Sequence, residues 1–84
     1  LLKHAPNVFG SAIAIEKLLL EAGFPKGVMQ NLILHTGKIP ALIADARVKG
    51  VSVTGSVKAG QAVAAAAAPY VKKLVLELGG SDPY

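Results

Sequence analysis

With 84 residues, no cysteine, 52% apolar and only 17% charged residues, the chain sits at the lower edge of single-domain size, where about 60% of the unfolded surface can be buried. Disulfide staples, thiolate metal sites and thiolate nucleophiles are excluded within these residues, and His4 and His35 have no local ligand spacing for a structural metal. The net charge of +4 comes from nine basic residues spread almost evenly, with only Lys72 and Lys73 adjacent and no interleaved aromatics, the pattern of a solvated face rather than of a nucleic-acid footprint.

In chain order, Gly10-Ser11 offers a cap for a helix whose apolar positions Ile15, Leu18, Leu19 and Ala22 recur at helical spacing, with Glu16, Lys17 and Glu21 on the other side. Gly23 stands where a C-terminal glycine ends such a helix, and Phe24-Pro25-Lys26-Gly27 has the residue order of a type I turn. A β-compatible stretch runs from Val28 to Leu34 and stops at His35-Thr36-Gly37; Ile39, Leu42 and Ile43 then mark a short helix up to Asp45. Val51 and Val53 between Gly50 and Gly55 form a short strand, Gly60 to Ala68 a helix that Pro69 terminates, and Lys73 to Leu78 a last strand. Asp82 precedes Pro83 as a turn residue.

Strand, helix, strand, helix, strand with short connections is the signature of parallel crossover units, hence of the α/β class. Parallel strands are normally covered by helices on both faces, which three strands cannot achieve alone. The chain therefore reads as a segment of a Rossmann-like parallel sheet with helices on both faces, and the apolar excess together with a first residue, Leu1, that is not methionine agrees with that expectation. No run reaches the ~18 apolar residues of a membrane span, and Leu1-Leu2 lacks the flanks of a signal peptide. No membrane partner and a cytoplasmic location are expected.

Two segments can carry chemistry. Val53-Thr54-Gly55-Ser56-Val57-Lys58-Ala59-Gly60 places glycines where a strand hands over to a helix. There the free N–H groups and the positive helix end attract an anion, and small residues let a phosphate approach the backbone. It is not a P-loop, since Gln61-Ala62 replace Lys-Ser/Thr, nor the dinucleotide fingerprint, since Val57 occupies the second glycine position. A capped helix, with Ser56 as N-cap and Gly60 for close packing, fits the same residues. In Leu76-Glu77-Leu78-Gly79-Gly80, the lone carboxylate Glu77 stands at the carboxyl end of an apolar strand, where open α/β sheets place ligands. Partial burial there would bring it toward the range of a general base; alternatively the Gly79-Gly80 amides simply hold it. Lys3 follows Leu1-Leu2, in position either to reach a ribose or phosphate or to remain a surface charge.

In their order along the chain, Leu2-Lys3-His4-Ala5-Pro6-Asn7, Glu21-Ala22-Gly23-Phe24-Pro25-Lys26-Gly27-Val28, Thr54-Gly55-Ser56 with Gly60, and Leu76-Glu77-Leu78-Gly79-Gly80 resemble the cofactor-binding domain of the aldehyde dehydrogenase family over essentially the whole chain. The opening Lys-His-Ala-Pro-Asn and the closing Gly-Gly-Ser-Asp-Pro further resemble the branch that oxidises succinate semialdehyde. The resemblance implies that residues 1–84 are part of an NAD(P)-binding domain: Lys3 at the adenosine ribose, Gly55, Ser56 and Gly60 at the pyrophosphate of NAD or NADP, and Glu77 as the base that activates water against a thioester. It also implies a small-molecule aldehyde substrate and a cysteine nucleophile on the remainder of the same polypeptide. The helix Ala59–Ala68 would form a homodimer or tetramer contact. Two departures stand out. Pro6 replaces a glutamate that in many members grips the ribose, which leaves NADP open as cofactor, and Ser81 replaces a lysine or asparagine. The reading independent of the family is a non-catalytic nucleotide- or phosphate-binding α/β module.

Overall fold

A computed structural model describes residues 1–80, and the chain divides into two compact units, Leu1–His35 and Thr36–Tyr84. The expected turn at Asp82-Pro83 and the departure at Ser81 lie outside the described residues. In the first unit the Val8 N–H donates to the Ala5 carbonyl at 3.1 Å, with Pro6 second in the turn. This turn delivers the chain into α1 (Phe9–Glu21) earlier than Gly10-Ser11 suggests; Val8 is the N-cap and makes no side-chain capping bond. The far end matches its glycine. Gly23, at φ 96°, donates to Leu20 O and Phe24 to Leu19 O, both at 3.1 Å, the paired bonds of a Schellman ending.

Three sequence expectations for this unit are corrected. The turn is displaced by one residue: Val28 N–H bonds Pro25 O at 3.2 Å, placing Gly27, at φ 93°, third in the turn, where type II geometry demands a positive φ. The stretch from Val28 to Leu34 forms no extended strand; it makes a single parallel bridge between Leu2 and Asn31. A strand needs a partner ladder, and only Leu2 supplies one, donating to Gln30 O and accepting from Leu32 N before the chain turns away at Ala5. The helix faces are also not as periodicity divides them. Ala12 is buried and Glu16 half-buried, whereas Ile15 and Leu18 are exposed, Leu18 by 62%.

The cause is Asn31. Its Nδ2 donates to Ala12 O at 2.8 Å and to Glu16 Oε2 at 2.7 Å, and its backbone N–H reaches the same carboxylate oxygen. A half-buried amide needs an acceptor, and a carboxylate is a stronger one than any apolar side chain can offer.

The second unit opens with a 3₁₀ turn (Thr36–Lys38) running into α2 (Ile39–Ala44), whose Pro40 lies in the first turn, where a missing N–H costs nothing. Strand β1 (Gly50–Gly55), helix α3 (Val57–Ala67) and strand β2 (Lys73–Leu78) follow. The strands pair in parallel, Gly50 with Lys73 through Gly55 with Leu78, so β1-α3-β2 is one crossover unit and the α/β class expected from the sequence is the one observed. Helix α3 packs on both strands and α2 packs on α3. Ile43 and Ala67 are the buried apolar side chains of the unit.

A Cβ built on Gly60 would lie 2.6 Å from Leu78 Cδ2, which places Leu78 on the α3 side of the sheet. By strand alternation Leu74 and Leu76 share that side, while Lys73, Val75 and Glu77 face the other way. The opposite side, with Ser52, Thr54, Val75 and Glu77, is exposed.

Two polar ties secure the amino ends of the strands. Lys72 Nζ donates to Asp45 O at 2.6 Å and to Val48 O, joining the segment before β2 to the loop before β1. Asp45 in turn accepts from Arg47 Nε at 2.9 Å and from its second guanidinium nitrogen at 2.7 Å. Those side-chain hydrogen bonds from Arg47 hold the Asp45 carboxyl well below the usual carboxylate range.

Between α3 and β2, after a 3₁₀ turn (Ala68–Tyr70), Val71 adopts φ 49° and ψ 41° and is 91% exposed. A β-branched residue in the left-handed region costs about 1–2 kcal/mol, with no buried contact here to offset it. Val71→Asn is expected to stabilise the protein by about 1 kcal/mol, read as a higher denaturant midpoint at constant slope; an unchanged midpoint would show that Val71 is unstrained.

Candidate cofactor and base site

The glycine-serine turn after β1 is built by its own residues. Ser56, extended at φ −71° and ψ 156°, is the N-cap of α3, and its Oγ accepts from Ala59 N at 3.2 Å while its carbonyl accepts from Gly60 N at 3.0 Å. The cap satisfies the third helical amide and leaves the N–H groups of Val57 and Lys58 without intrahelical partners, as at any helix start. Gly55 and Ser56 are exposed.

A Cβ on Gly55 would meet Ala59 Cβ at 3.8 Å and Val53 Cγ1 at 4.0 Å, ordinary van der Waals separations. Packing within this chain therefore does not require glycine there, which fits a position kept small for a ligand that approaches from outside. Helix amides, a hydroxyl and a glycine form a donor set suited to a pyrophosphate.

Gly60 differs from Gly55. It is buried within α3, and its Cα faces the Leu78 isopropyl group, so the close-packing reading of this glycine is what the geometry displays. Glu77 is the next-to-last residue of β2, in register with Thr54, the residue before Gly55. Turn and carboxylate thus sit at the same, carboxyl end of the sheet, on adjacent strands. Glu77 is exposed and its carboxylate makes no hydrogen bond among the described residues. Partial burial is accordingly corrected, because Glu77 projects from the face opposite α3, and the Gly79-Gly80 amides do not hold it.

Lys3 belongs to the other unit, directly after the Leu2 bridge. Half-buried, it donates from Nζ to His4 O at 2.7 Å, and the His4 ring meets Phe9 edge-on at 5.2 Å between centroids. A recess of about 340 Å³ lies at the amino ends of the strands, bordered by Val48, Lys49, Tyr70 and Lys72. It contains none of the expected site residues, as open α/β sheets bind ligands at the opposite end. No group of three or more metal-ligating side chains occurs among the described residues, and no helix among them is long and apolar enough to cross a membrane. Periodicity missed Asn31 and Glu16; their signal was a polar residue inside an apolar run.

A parallel β-α-β crossover whose helix opens on a glycine-serine turn, with a carboxylate on the neighbouring strand end, defines an α/β protein of the kind that places its ligands at the carboxyl edge of the sheet. The chain belongs to the aldehyde dehydrogenase family, whose signature it matches over residues 1–84. It is 50% identical over 84 residues to the succinate semialdehyde dehydrogenase [NAD(P)+] Sad of Escherichia coli, and 50% identical to the succinate-semialdehyde dehydrogenase [NADP(+)] of Deinococcus radiodurans. All of this chain and 18% of each relative are covered. Among solved structures, the succinic semialdehyde dehydrogenase of Streptococcus pyogenes in complex with NADP+ superposes with a TM-score of 0.91 at 44% identity, covering 96% of this chain and 18% of that one. The chain thus spans about a fifth of the length of the relatives it matches.

Proposed function

We propose that residues 1–84 are part of the NAD(P)-binding domain of a longer polypeptide that oxidises a short acidic aldehyde, succinate semialdehyde or a close analogue, to the carboxylic acid. The observation that carries this reading is the register of Glu77 with Thr54, beside the Gly55-Ser56 turn, in a chain half identical to succinate semialdehyde dehydrogenases. Gly55 and Ser56, with the first amides of α3, hold the pyrophosphate; Gly60 serves by letting α3 lie close to β2; Lys3 reaches the adenosine ribose. A bound cofactor would supply the hydride acceptor: once a thiolate has added to the aldehyde carbon, loss of hydride from that carbon to the nicotinamide would leave the thioester.

Glu77 then acts on water. Its carboxylate takes one proton as the water oxygen bonds to the thioester carbon, and the carbon–sulfur bond breaks to release the acid and a thiolate. The thiolate comes from the remainder of the polypeptide, because these residues include no cysteine; the segment alone binds cofactor without turnover. The polypeptide works in the cytoplasm as a homodimer or tetramer.

Titration calorimetry of the full-length polypeptide with NAD, NADP and ATP tests this. Saturable binding of NAD or NADP is expected, with ATP at least about tenfold weaker, a difference of about 1.4 kcal/mol. Selective binding of ATP would instead support the nucleotide-binding module without catalysis.

A further inference from the structure

We propose that the contact between Gly60 and Leu78 is a positioning device that fixes the distance between the Ser56-capped end of α3 and Glu77, coupling the cofactor turn to the base; this rests on the proposed role of Glu77. The geometry is specific. A Cβ on Gly60 would lie 2.6 Å from Leu78 Cδ2, 2.7 Å from Cδ1 and 3.2 Å from Cγ, so it would meet both methyls and the branch carbon head-on. These three atoms move together when Leu78 turns about its first side-chain bond, so the collision is relieved either by a new Leu78 rotamer or by moving the helix and the strand end apart. Carbon atoms settle about 3.5–4.0 Å apart, so with Leu78 in its present rotamer the helix and strand end separate by about 1 Å.

Leu78 is bonded to Glu77, and Gly60 lies one turn into the helix that Ser56 caps, its N–H bonded to Ser56 O at 3.0 Å. A separation at this contact is therefore delivered to both functional groups with little slack, and tightly packed elements transmit it rather than absorb it. Gly55, whose added Cβ would meet only ordinary contacts, has no such role.

The test uses the full-length polypeptide with sites counted by the burst of reduced cofactor. Gly60→Ala is expected to slow deacylation per counted site about ten- to a hundredfold while the burst persists. Gly60→Ala/Leu78→Ala, which removes the colliding methyls, is expected to recover most of that loss even though its stability remains below that of the parent. Leu78→Ala alone, which loosens the same contact, serves if Gly60→Ala does not fold, with slowed deacylation per site again expected.

Deacylation per site that stays at the parent rate in Gly60→Ala, or in Leu78→Ala where Gly60→Ala does not fold, overturns the proposal. So does a double variant no faster than Gly60→Ala. Glu77→Gln run in parallel separates the two ideas. If it deacylates normally, the base assignment and the coupling fall together; if it is slow while the Gly60 and Leu78 variants are normal, the coupling alone falls.

Discussion

Replacing Glu77 by glutamine is expected to slow hydrolysis of the acyl-enzyme about 10²- to 10⁴-fold, the usual contribution of a positioned general base, while cofactor affinity and the first hydride transfer stay within a few-fold of the parent. Glutamine has the shape of glutamate and lacks only the basic oxygen. The substitution is clean because Glu77 is exposed and its carboxylate engages no hydrogen-bond donor among the described residues, so no buried group is left unpaired and folding stability changes by no more than about 0.5 kcal/mol.

Single-turnover kinetics read the effect directly: a normal burst of reduced cofactor followed by a stalled steady state. Equal steady-state and parent rates would remove Glu77 from the reaction.

The second large effect is on stability. Ile43→Ala is expected to cost about 2–5 kcal/mol, the transfer term for the lost carbons plus the cavity they leave. Ile43 is 2% exposed and is the largest fully buried side chain of the described residues. Its helix, α2 (Ile39–Ala44), has only six residues, too few to persist by backbone hydrogen bonding alone.

Burial of Ile43 is thus what keeps α2 against α3. With α2 detached, α3 loses one of the elements packed on it, so the Ser56 turn is expected to loosen together with the fold. Denaturant unfolding checks this through a lowered midpoint at unchanged slope; a loss under about 1 kcal/mol would show that the site collapses around alanine and that α2 is not held by this side chain.

Several elements were legible in the sequence because their causes are local. Strand β2 runs over Lys73–Leu78 as its β-rich core suggests, β1 lies between its flanking glycines, Pro69 stops α3 at Ala67, and Ser56 caps it. Each depends on residues within a few positions of one another: propensity, a missing N–H, a hydroxyl three residues before an amide. The parallel pairing of β1 and β2 follows as well, since a helix between two short strands leaves few other arrangements. The four motifs, Leu2–Asn7, Glu21–Val28, Thr54-Gly55-Ser56 with Gly60, and Leu76–Gly80, in their order along the chain were sufficient for the resemblance to the family.

Tertiary structure decided what depends on partners distant in the chain. Val28–Leu34 has strand composition, yet a strand exists only where a second backbone offers a ladder, and one residue, Leu2, provides it. Glu16 lies on the polar side of a helical wheel, yet it turns inward because the Asn31 amide, fifteen positions away, needs a carboxylate acceptor. Gly55 and Gly60 look equivalent in a motif; only the position of Leu78 distinguishes Gly60, which admits a strand, from Gly55, where an added Cβ would meet ordinary contacts. Local chemistry determines which conformations a segment can adopt, but the hydrogen-bond and van der Waals partners that select one conformation, and give a residue its role, are assembled only when the chain folds.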